Sequence, residues 1–351
     1  MSEKPVALDA MGGDFAPKVT CAGALEAYRR WNIAVTLVGR QESLLQEFAS
    51  LGGLPTGITI THAPEVIGMA EHAAQAFRRT RESSMHVACE LVKRGEAIAA
   101  VSAGNSGAFF VVAMFGFGRL PGIDRPALAT IYPTEYHPVL VLDVGANTDV
   151  QPHHLVQFAV LGSIYAERIL GIVAPRVGLL SNGEEEEKGT VVVQQANRML
   201  RETGLTFIGN VEGKDVPKGV ADVVVCDGFT GNVLIKTSEG VAEALYGLIR
   251  RELTSSLRNK LLALGLRAAF VQIRKKMDYA EYGGAPLLGL REVAIIAHGR
   301  SNAWAIANAL RVAHQAWEQG ITAELARGIE QWEGRRAERQ GSHPAQQEGT
   351  S

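Results

Sequence analysis

Polar side chains collect at five points where a run of valine, leucine or alanine stops at a glycine-rich turn. Asp9 is followed by Gly12, Gly13 and Asp14; Ser102 by Gly104, Asn105, Ser106 and Gly107; Asp143 by Gly145 and Asn147; Asp227 by Gly228, Thr230, Gly231 and Asn232; and His298 precedes Ser301 and Asn302. Glycine lets a backbone approach an anion, and a helix opening just after the turn presents N–H groups with no partner of their own. "SAGNSGAFF" therefore reads equally well as a phosphate cradle and as ordinary N-capping. In "CDGFTGNVLIK", Asp227 and Asn232 either face a ligand together or Asp227 caps its own turn. "NGEEEEKGT" (Asn182–Thr190) places Lys188 behind four glutamates. The glutamates suit a solvated helix start. Lys188 reads first as a surface lysine, and at the mouth of a cleft it would offer a compact charge to phosphate or to a developing oxyanion. One such turn means little, whereas repetition at successive strand ends points to a shared cleft.

Several chemistries are not written in the chain. No Walker lysine motif occurs, and no GxGxxG follows an expected strand, which argues against a nucleotide or conventional NAD site. There is no recognisable Ser-His-Asp or Cys-His arrangement. The three cysteines, Cys21, Cys89 and Cys226, form no CxxC pair, so neither a disulfide framework nor a zinc cluster is expected. Cys226 closes a strand and reads as a small buried hydrophobe. A net charge of −2 gives no reason to expect nucleic acid.

The elements that would hold these turns follow from periodicity. Apolar runs at Val6–Ala10, Ala34–Gly39, Ala97–Gly104, Val139–Asn147, Arg176–Gly183, Ala221–Gly228 and Val293–Gly299 read as strands buried on both faces. Helical spacing follows at Asn105–Gly118, Pro152–Leu170, Lys188–Glu202, Asn232–Glu252 and Ser301–Gly320. The alternation predicts an α/β fold with a doubly wound, mostly parallel sheet, one catalytic unit over residues 1–332, and a polar, disordered tail from 333 to 351. No signal peptide or run of 18 apolar residues is visible, and a reducing cytoplasm is the expected setting.

The ordered motifs "LDAMGGDFAPK", "SAGNSGA", "LPGIDRPALA", "LDVGAN", "GEEEEKG", "FIGNVEGKD", "DVVVCDGFTGNVLIKTSEG", "YGGAPLLGL" and "IAHGRSNA" span the chain from near its first residue to about residue 325. In them the chain resembles the bacterial phosphate acyltransferase family, the acyl-[acyl-carrier-protein]:phosphate transacylases of phospholipid synthesis. The resemblance implies a fold similar to the isopropylmalate dehydrogenase and phosphotransacetylase group, a homodimer, and peripheral attachment to the inner face of the cytoplasmic membrane. It also implies acyl transfer from acyl carrier protein to inorganic phosphate, the acyl phosphate going on to a glycerol-3-phosphate acyltransferase. Lys188, Asp227, Thr230 and Asn232 match the family pattern, and Ser106 keeps the hydroxyl of the usual threonine. Ser181 and Asn182 stand where the family more often has Asn and Ile.

For that reaction phosphate is the nucleophile, so no covalent enzyme intermediate, metal or nicotinamide is required. The resemblance implies phosphate on the N–H groups around Gly104, Asn105, Ser106 and Gly107 with help from Lys188, and polarisation of the acyl carbonyl by Asn232 or Lys188. Asp9, Gly12, Gly13, Asp143, Asn147, Asp227, Thr230 and His298 complete the expected substrate site. Two rivals use other features of the chain. A metal- and NAD-dependent decarboxylating dehydrogenase would bind Mg²⁺ through Asp9, Asp14, Asp143 and Asp227. A non-catalytic membrane scaffold would keep only a relict cleft.

Residues 250–277 carry eight basic side chains against one acidic, Glu252. Leu253, Leu257, Leu261 and Leu264 share one helical stripe, and Leu266, Phe270, Ile273 and Met277 another beyond Gly265, predicting a helical hairpin with an apolar tip. The stripes alone suit burial in a core or dimer. With the family resemblance, Leu257, Leu261, Leu262, Leu264 and Leu266 are expected to meet an anionic membrane surface.

Overall fold

A computed structural model describes residues 4–134, 136–277 and 281–341 of the 351, without certain side chains of the second hairpin helix and the C-terminal helix. The first half of the chain forms β1 (Val6–Asp9), α1 (Lys18–Trp31), β2 (Val35–Gly39), α2 (Gln41–Ser50), β3 (Ile58–His62), α3 (Ala73–Arg79), α4 (Ser84–Lys93), β4 (Ala99–Ser102) and α5 (Ser106–Phe117). Then come β5 (Ala127–Tyr132), β6 (Val139–Leu142), α6 (Pro152–Arg168), β7 (Val177–Ser181), α7 (Val191–Arg201), β8 (Phe207–Glu212) and β9 (Val223–Val225). The chain closes with α8 (Gly228–Thr254), α9 (Leu257–Met277), β10 (Ala285–Leu288), β11 (Val293–Ile296), α10 (Ala303–Glu318) and α11 (Ile321–Gly341).

The strands make one 11-stranded sheet in the order β3-β2-β1-β4-β11-β10-β5-β6-β9-β7-β8. Its two wings, β3-β2-β1-β4-β11 and β6-β9-β7-β8, are each parallel. Between them β10 pairs antiparallel with β11 and β5, and β5 pairs antiparallel with β6. Three reversals in succession make the wings run in opposite directions, so the strand ends of one wing do not lie beside those of the other. Strands β3, β5, β8 and β10 are absent from the expected set. All four carry half-buried residues, which interrupt or shorten the apolar run by which a doubly buried strand is recognised.

Helices cover both faces. On one side α1, α10, α6 and α11 pack over a core continuous across both wings. On the other, α3, α4 and α5 cover the first wing, while Leu234 and Ile235 of α8 cover the second, with Leu128 of β5 touching both layers. Helices α5 and α8 thus lie over different wings on the same face, and the space between them is the candidate groove.

Three expected boundaries move. Helix α7 begins at Val191, capped by the Thr190 hydroxyl, rather than at Lys188. Helix α8 begins at Gly228 instead of Asn232, because Asp227 caps it. The hairpin turns at Ser255 and Ser256, where both hydroxyls accept or donate locally, and not at Gly265, which lies inside α9. The tail expected to lack structure from 333 is helical through Gly341: Ile321, Leu325, Ile329 and Trp332 pack into the core, and the Ala, Arg, Glu and Gln residues beyond are good helix formers. Residues 342–351 lie outside the described part.

Candidate active site

The first wall of the groove grows from the ends of β1, β4 and β11. Asp9 is buried and accepts from the Ser102 hydroxyl at 2.7 Å and the Met11 N–H at 3.2 Å. Burial pushes its carboxyl up from the ordinary range, against the pull of these donors. A side chain at Gly12 would come within 2.4 Å of Asp9 Oδ2 and 2.7 Å of the Gly104 N, so only glycine lets the two loops meet there. Gly13 lies against Ala103 and Gly299, and the Asp14 N–H donates to the Gly299 carbonyl at 2.8 Å, drawing the His298 loop to the same place.

Asn105 caps α5. Its Oδ1 accepts from the Ala108 N–H at 3.0 Å, while Nδ2 donates to the carbonyls of Met69 (3.1 Å) and Glu71 (2.8 Å). The side chain is thus fully engaged by the cap and by the segment before α3, and because the Gly104 N–H donates to Ser102 Oγ at 3.1 Å, the backbone of Asn105–Gly107 is what is left to an anion. Ser106 and Gly107 are exposed at the helix N-terminus, where the dipole and the unpaired N–H groups favour negative charge.

His298 is half-buried, and its Nδ1 accepts from the Arg300 N–H at 3.1 Å, which puts the proton of the neutral ring on Nε2. Burial, then the charge of Lys236, lower its pKa, with Glu239 and Asp14 opposing and Arg300 adding to the depression. Lys236 and Glu239 belong to α8, so the second wing reaches the field of the first wall through this helix.

The second wall is a knot around Asp143. This buried carboxylate accepts from the N–H groups of Leu128, Gly145, Ala146 and Asn147 and from Asn147 Nδ2. Burial nevertheless raises its pKa. Asn147 also donates to the Pro126 carbonyl and accepts from the Gly228 N–H, so it locks the start of α8 to β6. A Cβ at Gly231 would fall 1.9 Å from the Asp143 carbonyl, which fixes glycine there. Asp227 accepts from the Thr230 N–H at 2.9 Å and the Thr230 hydroxyl at 2.6 Å: the pair closes the helix cap. Asn232 sits one turn on, exposed, with Nδ2 over Gly145.

Lys188 lies apart from both clusters by contact. It is exposed on the β7–α7 loop with its stem against Gly183, and the loop is held by the Asn182 side chain, which accepts from the Gly189 N–H at 2.8 Å. The carboxylates named for a metal do not converge: Asp9, Asp143 and Asp227 each serve local N–H or O–H donors. The side-chain groupings with metal-ligand spacing among the described residues are Asp124, His153 and His154, and Glu184, Glu212 and Asp215. All three cysteines are buried, and burial raises each thiol pKa, to about 12 for Cys21. None is a thiolate nucleophile.

A family profile described as "Fatty acid synthesis protein" matches residues 5–324. A phosphate acyltransferase of Geotalea uraniireducens is 50% identical over 326 residues, covering 93% of this chain and 94% of the relative. Another, of Geobacter sulfurreducens, is 51% identical over 325 residues with the same coverage. The chain belongs to the phosphate acyltransferase family. Among solved structures it is similar to the EutD phosphotransacetylase of Staphylococcus aureus (TM-score 0.59, 17% identity, 90% of this chain and 94% of the other). A phosphotransacetylase of Streptococcus pyogenes is similar too (TM-score 0.60, 16% identity, 93% and 94%). At these identities the likeness is one of fold, and it matches the fold group the motifs imply.

Sequence reasoning passed over Lys236 and Arg300. Lys236 stands four residues after Asn232, a spacing that puts both on one face of α8, and this signal was readable in "GNVLIK". The closeness of Lys236 to His298 was not readable, because it depends on α8, which follows β9 of the second wing, coming near the loop after β11 of the first.

Proposed function

We propose that this acyltransferase moves a fatty acyl group from acyl carrier protein to inorganic phosphate, forming acyl phosphate for phosphatidic acid synthesis. The observation that supports the reading is the N-terminus of α5, where Asn105 caps only the Ala108 N–H and turns its amide nitrogen to Met69 and Glu71, so that the backbone N–H groups of the exposed Ser106 and Gly107 are left for an anion. Phosphate held there attacks the thioester carbonyl. A P–O–C bond forms, the oxyanion of the tetrahedral intermediate takes donors from Asn232 and Lys188, and collapse breaks the C–S bond to release the carrier thiolate. Lys236 and Arg300, whose charges both act on His298, add donors for phosphate. Three buried, protonated thiols support direct transfer over an acyl-enzyme.

The protein acts as a homodimer on the anionic inner face of the cytoplasmic membrane, beside the glycerol-3-phosphate acyltransferase that consumes its product. Val241, Leu245 and Leu248 are exposed at i, i+4 and i+7 along α8, which supports pairing of two copies through that helix. Leu257, 81% exposed, stands at the hairpin turn, with Leu264 and Leu266 also exposed further along α9. The side chains of Leu261 and Leu262 lie outside the described residues. No described helix is long and apolar enough to cross a membrane, so attachment is by a surface.

The test is acyl-phosphate formation from palmitoyl-acyl carrier protein and phosphate. Lys188→Ala and Asn232→Ala should each lower turnover by about 10²-fold or more, the scale of one lost oxyanion donor, with circular dichroism unchanged. A folded variant of near-normal turnover removes that residue from the mechanism, and a wild type that makes no acyl phosphate overturns the reading.

A further inference from the structure

A carboxylate with no cation beside it is costly to bury unless donors satisfy it. Asp9, at the end of β1, is 1% exposed, and no Lys or Arg pairs with it among the described residues. Its Oδ1 accepts from the Met11 N–H and its Oδ2 from the Ser102 hydroxyl, and the Ser84 hydroxyl at the start of α4 is close enough to favour its charge. These donors come from the loop after β1, the end of β4, and α4. Such a carboxylate fixes the places of the groups it accepts from.

Ser102 passes this constraint on. A hydroxyl has one proton and two lone pairs, and here the proton goes to Asp9 at 2.7 Å while a lone pair takes the Gly104 N–H at 3.1 Å. Ser102 is 1% exposed, so neither bond is exchanged for one to water without opening the fold. The surroundings are closed: a Cβ at Gly104 would lie 2.3 Å from Met85 Cε and 3.3 Å from Gly12 Cα. Gly104 directly precedes Asn105, Ser106 and Gly107, the residues whose N–H groups the proposed reading gives to phosphate. Successive peptide planes share their α-carbons, so holding the Gly104 N–H limits where the next three N–H groups point. The Asn105 side chain, tied to Ala108, Met69 and Glu71, fixes the same turn from its other end.

We infer that Asp9 is a positioning residue for the phosphate site: through Ser102 it holds Gly104, and so aims the N–H groups of Asn105–Gly107, without itself touching substrate. The inference rests on the reading of the α5 N-terminus as the phosphate cradle. Donors already in place need no rearrangement when the anion arrives, so loosening this relay weakens phosphate binding more than binding of the acyl donor. Asp9→Asn disturbs the relay at nearly constant shape. Because Asp9 accepts on both oxygens, an amide there must turn its own NH2 toward the Met11 N–H or toward the Ser102 hydroxyl. Ser102→Ala removes the middle of the relay and leaves the Gly104 N–H without its acceptor.

Acyl-phosphate formation from palmitoyl-acyl carrier protein should be measured against phosphate concentration in wild type, Asp9→Asn, Ser102→Ala and the double variant. Each single change should raise the KM for phosphate about five- to tenfold, the scale of one hydrogen bond, and more than it alters kcat or the KM for the acyl donor. Because both residues act through one chain of bonds, the double variant should be little worse than the more affected single one. An unchanged KM for phosphate, equal losses in all three constants, or effects that multiply overturn the relay and leave the transferase reading standing. A wild type that makes no acyl phosphate overturns the transferase reading, and the relay with it. If the variants do not fold, amide hydrogen exchange of the wild type, followed by NMR, decides. The Gly104 amide should exchange slowly without phosphate, and those of Ser106 and Gly107 fast until inorganic phosphate is added. A Gly104 amide that exchanges as fast as that of Ser106 refutes the relay.

Discussion

At the residue scale, most side chains named from the turns hold the groove together, and few are left to meet a substrate. Asp143, Asn147, Asp227 and Thr230 are engaged by one another or by backbone donors, as is Asn105. In the proposed reading Asn232, Lys188, Lys236 and Arg300 are the groups that meet substrate. His298 gives a pH signature. Its folded pKa lies below the ordinary 6.5 because burial disfavours the cation and Lys236 repels it. A histidine with a depressed folded pKa is protonated more readily when unfolded, so its contribution to stability is complete above pH 6.5 and is lost as pH falls through the folded value. Imidazole NMR should show His298 titrating below 6.5, and the acid-side loss of thermal stability should be smaller in His298→Gln. Titration at or above 6.5 would contradict the crowded, cationic surroundings described.

At the scale of elements, α8 has two tasks along its length. Its first three turns carry Asn232, Lys236 and Glu239, the last two close enough to act on His298, and are anchored where Ser238 accepts from the Tyr132 hydroxyl at 2.9 Å. Its remainder leaves the sheet, exposes Val241, Leu245 and Leu248, and meets α9 at a turn where Leu257 is exposed. Basic residues around an apolar tip suit anionic lipid, each adding on the order of 1 kcal/mol near the surface. Purified protein should therefore co-sediment with anionic vesicles more than with neutral ones, and less at high salt. Leu264→Glu should abolish this while acyl transfer from a soluble donor persists. Leu245→Glu should instead yield monomers by analytical ultracentrifugation. A wild type that ignores anionic vesicles, with Leu264→Glu falling to monomers, would reassign the tip to the dimer.

At the scale of the molecule, β10 and β5 join two opposed wings, and in the proposed reading the first wall takes the anion and the second the carbonyl. Neither wall needs a redox group for the proposed reaction. Activity should persist in EDTA and without added nicotinamide, measured as phosphate-dependent release of the carrier thiol. A chelator-sensitive reaction restored by Mg²⁺ would favour the carboxylate-metal rival, whose ligands Asp9, Asp143 and Asp227 would then have to give up their present donors.

The sequence by itself determined the class of fold, the buried strands β1, β4, β6, β9 and β11, and the turns that line the groove, because an apolar run ended by glycine is a local signal. The family was legible as well, since its motifs are contiguous. Only the tertiary structure decided which polar side chains stay available, as in Asn105, whose donors go to Met69 and Glu71 more than thirty residues earlier. It alone set the wings against one another, because strand direction at β5 and β10 depends on pairing between distant segments. It also left Phe115 of the apolar α5 exposed: burial is a property of neighbours, and a chain read along its length does not say where its neighbours stop.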